Sequence, residues 1–240
     1  MKASWLLVLI AAMSAQAQAP AFEVASIKPA PLERISFPYR MGPDFSMEGL
    51  LKHFIETAYE KDRYQVDGGP VWAESAWYDI QAKAPVQADA SQIRAMLQTL
   101  LADRFQLKLH RETRMMSGYV LSVEKGGPKL PPVKSDAPAG STGRIQLGGG
   151  IWMRGATIQM LSKGLWLQLG KPVLDETKIE GNYDVRLKFD DISPDLASPN
   201  ATPGLGSVFG ALHEIGLKLD AKKLPIEVLV IDSAERPSAN

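Results

Sequence analysis

The chain states one pattern twice. Leu51-Lys52-His53-Phe54-Ile55-Glu56-Thr57-Ala58-Tyr59 spaces its apolar residues as a helix does and leads through Gly69-Pro70-Val71 to Tyr78-Asp79-Ile80. Further on, Ile158 through Leu169 does the same and leads through Gly170-Lys171-Pro172-Val173 to Tyr183-Asp184-Val185. Each half then gives a second helical pattern that runs into one tripeptide, Leu107-Lys108-Leu109 and Leu217-Lys218-Leu219. Each closes on an apolar strand, Tyr119-Val120-Leu121-Ser122-Val123 and Val228-Leu229-Val230-Ile231. An internal repeat constrains architecture more than any motif, because each unit has the same face to bury. The order in each half reads strand, helix, strand, strand, helix, strand, strand. Hairpins in place of strict strand–helix alternation imply an α+β fold, here two pseudo-repeats with mostly antiparallel sheets.

The first residues stand outside the repeat and read as an export signal. Lys2 supplies the positive start, Trp5 to Met13 the apolar run and Ala15-Gln16-Ala17 the small-residue cleavage site. The run is shorter than the ~20 residues of a spanning helix, so residues 1–17 are expected to be cleaved and the mature chain to begin near Gln18. No later stretch reads as a membrane helix. Without Lys2, the basic side chains fall one short of the 27 acidic ones. A near-neutral chain has no electrostatic claim on nucleic acid or an anionic membrane. Cysteine is absent, so neither a disulfide nor a lipid-modified cysteine is available. Stability has to come from packing, for which 45% apolar content suffices.

The expected organisation is a signal peptide at 1–17, a first α+β repeat at 18–125, a Pro/Gly-rich linker at 126–150 and a second repeat at 151–240. Phe22–Ile27 alternates and stops at Lys28-Pro29, the mark of an edge strand. Residues 30–44 read as irregular. Ser91 is the expected N-cap of a helix through Arg104, with Ile93, Met96, Leu97, Leu100 and Leu101 inward. Two strands are expected at 105–111 and 118–124, divided by a charged turn. A polar loop is expected at 190–206, and then a helix at 207–215 ending on Gly216.

The reactive residues form no recognisable set. His53, His110 and His213 fall in unrelated elements, and a zinc site needs about three ligands at a recognisable spacing. His53 and Glu56 lie one helical turn apart, with no second histidine at that spacing. Ser122-Val123-Glu124-Lys125 matches S-x-x-K by letter, but its serine lies in an apparent strand. Gly164 to Lys171 lacks the spacing and the Ser/Thr of a phosphate loop. The Asp79 and Asp184 carboxylates would form an acid/base pair only across a cleft between the halves; the plainer reading is a core tyrosine beside a strand-capping aspartate. No metal or other cofactor is expected. Among the tryptophans, Trp166 reads as core. Trp72, in the Gly-Pro-Val-Trp turn, and Trp77 are the candidate contact residues, since tryptophan is favoured in binding hot spots.

Several segments together resemble a known family. They include Phe22–Pro29, Gly68-Gly69-Pro70-x-Trp72, Tyr78-Asp79-Ile80-x-Ala82-Lys83-Ala84, Leu101–Phe105, His110–Thr113 and Lys125–Leu130. Leu169–Val173 with Asp175 and Thr177, and Gly181–Asp184, continue the match. The chain is similar to the soil-associated exported family, a domain of unknown function expanded in acidobacteria, over essentially all of the mature sequence. It departs where Glu48-Gly49-Leu50 replaces a polar helix cap and where Ser117-Gly118 replaces a more apolar strand start. The family brings no catalytic residues with it. Each half also resembles, in order of elements alone, the short N-terminal domain of secretins and TonB-dependent receptors. These resemblances imply a periplasmic or secreted, non-catalytic envelope module that binds a protein, peptide or glycan. The alternative is a hydrolase whose dispersed site leaves no sequence signature.

Overall fold

The computed structural model describes residues 19–31, 39–131, 143–146, 150–189 and 207–237. The fold is α+β with mostly antiparallel sheets. The chain divides into two compact units, Met1–Arg111 with Leu229–Asn240, and Glu112–Val228.

In the first unit, β1 (Val24–Pro29), β2 (Tyr39–Arg40), β3 (Asp44–Leu50) and β5 (Trp77–Lys83) form one antiparallel sheet in the order β1-β5-β3-β2. β1 is an edge strand, as its Lys-Pro ending implies. Side chains alternate between the faces of a strand, so Ile27, Phe45, Met47, Tyr78, Ile80 and Ala82 share one face and are buried. Helices α1 (Leu51–Tyr59) and α2 (Ala90–Arg104) contribute Leu51, Phe54, Ile55, Ile93, Leu97 and Leu101 to the same core. The cap of α2 is Asp89 rather than Ser91. Asp89 Oδ1 accepts from the Gln92 amide at 2.9 Å, and Gln92 Oε1 accepts from the Asp89 amide at 2.9 Å, a reciprocal pair that satisfies two otherwise orphaned donors.

In the second unit, β8 (Gly150–Ala156) lies between β7 (Gly143–Gln146) and β10 (Tyr183–Leu187), both antiparallel to it. Helices α3 (Ile158–Leu169) and α4 (Val208–Glu214) pack Ile158, Leu161, Leu165, Val208 and Leu212 with Ile151, Met153 and Val185. Thr157 and Ser207 cap these helices through their hydroxyls. Gly170 ends α3 in the left-handed conformation that glycine adopts at least cost.

Other expectations change too, beginning with residues 30–44, where Tyr39–Arg40 forms a strand. The segments expected as strands at 105–111 and 118–124 are one strand, β6 (Lys108–Val123). Its charged part, Arg111–Arg114, holds no Gly, Pro, Asn, Asp or Ser to turn the chain. The expected strands at 217–219 and 228–231 are likewise one, β11 (Leu217–Ser233), which carries Pro225 within it. The stretch expected as linker takes part in the fold: Lys129 donates to the Ile215 carbonyl at 2.8 Å, Leu130 is buried in the second core, and β7 pairs with β8. The expected signal peptide and the polar loop at 190–206 lie outside the described residues.

The repeated letters also differ in use. Val173 opens β9 (Val173–Asp175), whereas Val71 sits in a 3-10 turn and is 90% exposed, the short strand β4 (Val66–Gly68) having come before the proline. β4 pairs parallel with Leu229–Ile231 of β11, and β9 pairs parallel with Tyr119–Leu121 of β6. Leu229 and Ile231 therefore belong to the first core, and Tyr119 and Leu121 to the second. No helix among the described residues is long and apolar enough to cross a membrane.

Candidate functional site

With the helices on one face of the first unit's sheet, alternation turns the intervening residues to the other. Pairing in register sets Ser26 of β1, Gln81 of β5, Ser46 of β3 and Arg40 of β2 in one row across the four strands. The next row sets Val24, Lys83 and Asp44 side by side. These seven residues line a depression of about 650 Å³, within the ~300–1,000 Å³ range of small-molecule sites. Within the described residues, no hydrogen bond or ion pair engages the side chains of Ser26, Arg40, Asp44, Ser46 or Lys83. Gln81 Nε2 donates to Asp79 Oδ2 at 2.9 Å, which leaves the Gln81 amide oxygen as an acceptor. The wall thus presents two hydroxyls, an amide, two cations and one carboxylate, all open to a ligand.

The two tryptophans named from the sequence lie elsewhere in this unit. Trp72 is half-buried, stacked on Phe105 at 6.3 Å and edge-on to Tyr78 at 6.2 Å. The Arg236 guanidinium covers its ring at 5.6 Å. Trp77 opens β5 opposite Leu50, half-buried and edge-on to His53 at 6.0 Å. Trp166 is partly buried against the second core.

The histidines each have a local partner. His53 Nδ1 accepts from the Leu50 amide at 3.3 Å. Leucine at the cap of α1 has no oxygen to offer, and the ring three residues on serves the chain end instead. Burial, and then the nearby Arg63 guanidinium, hold its pKa below the ordinary value, which favours the neutral ring whose Nδ1 accepts. His110 lies 2.7 Å from Asp232, and His213 lies 2.6 Å from Glu124. Among the described residues no three His, Cys, Asp or Glu side chains gather as a metal-binding group. Ser122 sits in β6, away from the helical turn that S-x-x-K chemistry needs. Asp79 and Asp184 belong to different units; Asp184 accepts from the Gly155 amide at 2.9 Å, while Asp79 accepts from Gln81.

A family model described as "Protein of unknown function (DUF3738)" matches residues 52–234. The chain belongs to the DUF3738 family. No curated protein and no solved structure matches it. The DUF3738 match opens at the start of α1, so Gln81 and Lys83 lie within it, while Ser26, Arg40, Asp44 and Ser46 come from strands that precede it. Sequence reading missed all six. The alternation of β1 and β5 was visible, but register decides which outward residues become neighbours, and register needs the partner strands.

Proposed function

We propose that this DUF3738 chain is an exported, non-catalytic module of the cell envelope, periplasmic or secreted, that binds a protein, peptide or glycan. The observation that carries the reading is the open depression on the first sheet, where five polar side chains have no partner within the described residues. A concavity with a few convergent polar groups that the protein itself leaves unengaged is the ordinary form of a ligand site. The leader pattern at residues 1–17 supports export. The likeness to the soil-associated exported family, and of each half to the secretin and TonB-receptor short domain, supports a binding role, at the level of analogy. Trp72 and Trp77 are retained as aromatic contact candidates, with Val71 beside Trp72 exposed at the turn.

The test is to express the chain with its own leader in a Gram-negative host and weigh the product. A mature mass beginning at Gln18, in the periplasm or medium, is expected. The purified chain is then challenged with defined envelope glycans and peptides. Saturable binding with ligand mass unchanged supports the reading. An uncleaved cytoplasmic product would refute export, and ligand turnover abolished by one substitution would refute the non-catalytic role.

A further inference from the structure

The same depression carries enough chemistry to name the class of ligand, an inference that rests on the binding reading above. Its floor is the row Ser26, Gln81, Ser46 and Arg40, one residue per strand. Adjacent strands lie about 4.8 Å apart, so the row sets hydrogen-bonding groups at a regular short interval across the strands. Alternate equatorial hydroxyls of a pyranose ring lie a comparable distance apart. Serine hydroxyls and a glutamine amide both donate and accept, as sugar hydroxyls do. Such a row suits a ligand whose polar groups also do both.

Charge narrows the class. Arg40 ends the row with no acid opposite it, because its register partner is Ser46. Lys83 and Asp44 stand opposite each other in the next row without forming an ion pair. Asp44 and Asp79, the latter hydrogen-bonded to Gln81 on the same face, balance two cations, but Arg40 has no carboxylate opposite it and its planar guanidinium offers the parallel donors that match a carboxylate. No aromatic ring lies open in the lining: Phe45 and Ala82 at the depression are buried, and Val24, at one end, is its exposed hydrophobe. The apolar part of the wall therefore suits the C–H face of a sugar ring, whose edge carries the hydroxyls.

We propose that the outward face of β1, β5, β3 and β2 binds an acidic saccharide. Its hydroxyls lie along Ser26, Gln81 and Ser46, and its carboxylate meets Arg40 with Lys83 beside it.

The experiment is calorimetric titration of the purified mature chain with trigalacturonate, its fully methyl-esterified counterpart and a tri-glutamate peptide. Trigalacturonate should bind at one site, and the neutral ester at least about tenfold more weakly, the usual scale for losing a charge-assisted hydrogen bond. Arg40→Gln and Lys83→Gln should each weaken trigalacturonate to a similar extent. The pair Ser26→Ala and Ser46→Ala should weaken acid and ester alike. Lys222→Gln, exposed in the second unit, is the control and should change nothing. Melting temperatures within a few degrees of the parent keep the variants comparable; these side chains are exposed or half-exposed and support no core. Equal binding of acid and ester, or acid binding indifferent to Arg40→Gln, overturns the proposal. Peptide binding lost in Arg40→Gln, with no binding of either sugar, also overturns it and leaves the binding reading standing. New reducing ends from trigalacturonate would instead remove the non-catalytic reading while keeping the ligand.

Discussion

His53 connects charge to helix structure at a single atom. Its Nδ1 accepts a hydrogen bond from the Leu50 amide, at the start of α1. Protonation destroys that acceptor, and burial with Arg63 nearby already disfavours it. Because the folded pKa lies below the free-chain value of 6.5, the unfolded chain binds the proton more readily, and stability rises with pH across the interval between the two. The contribution is complete above 6.5 and is lost as pH falls below it through the folded value. Denaturant midpoints of the parent should therefore drop from pH 7.5 to pH 5 more than those of His53→Gln, whose amide oxygen accepts at any pH. Equal slopes would show that the ring carries no such role. Trp72 is also more tied into its unit than its turn suggested. Trp72→Ala should cost about 2–4 kcal/mol, below or within the range for a fully buried aromatic, because Phe105, Tyr78 and Arg236 all contact its ring. Urea unfolding measures it directly.

Within the elements, the close approaches are as telling as the apolar faces. A Cβ at Gly118 would lie 2.6 Å from the Pro172 carbonyl oxygen and 2.9 Å from Leu224 Cδ1. Backbone cannot yield as a side-chain tip does, so Gly118→Ala should cost about 1–3 kcal/mol. A midpoint unchanged from the parent would show that β6 and the turn before β9 can move apart. Leu212→Ala, fully buried in α4, should cost about 2–5 kcal/mol through lost burial and a cavity. The glycine explains what the sequence could only register as a departure, since its reason lies in a proline far along the chain. The helices were legible because a 3.6-residue stripe and an end signal such as Gly170 or Gly216 are local. The long strands were not. The segment between 111 and 118 reads as a charged turn, yet Lys108–Val123 runs through it unbroken. Asp89-Ala90-Ser91-Gln92 contained the true cap of α2, and the nearer serine drew the reading away from it. The depression was out of reach for a different reason. Ser26, Gln81, Ser46 and Arg40 are ordinary outward residues until three separate registers align them.

For the whole chain, the first unit is assembled from both ends of the sequence. Leu229–Ile231 supplies the parallel partner of β4 and two residues of the first core, and the Glu235 amide bonds the Phe105 carbonyl at 2.7 Å. Truncation after Val228 should strip hydrogen-exchange protection from Val66–Gly68 while leaving the β8–β10 pairing protected. Protection retained at Val66–Gly68 would show that β4 holds without its partner. The arrangement also bears on the order in which the protein can be made. Synthesis delivers the amino-terminal strands first, but their core stays incomplete until Leu229 and Ile231 have left the ribosome. Pairings between such distant segments carry a loop-closure cost before they return any stability. The newly made first unit thus waits with an unpaired strand edge until Leu229–Ile231 emerges, and a chain cut short before that segment would have a first unit that cannot close.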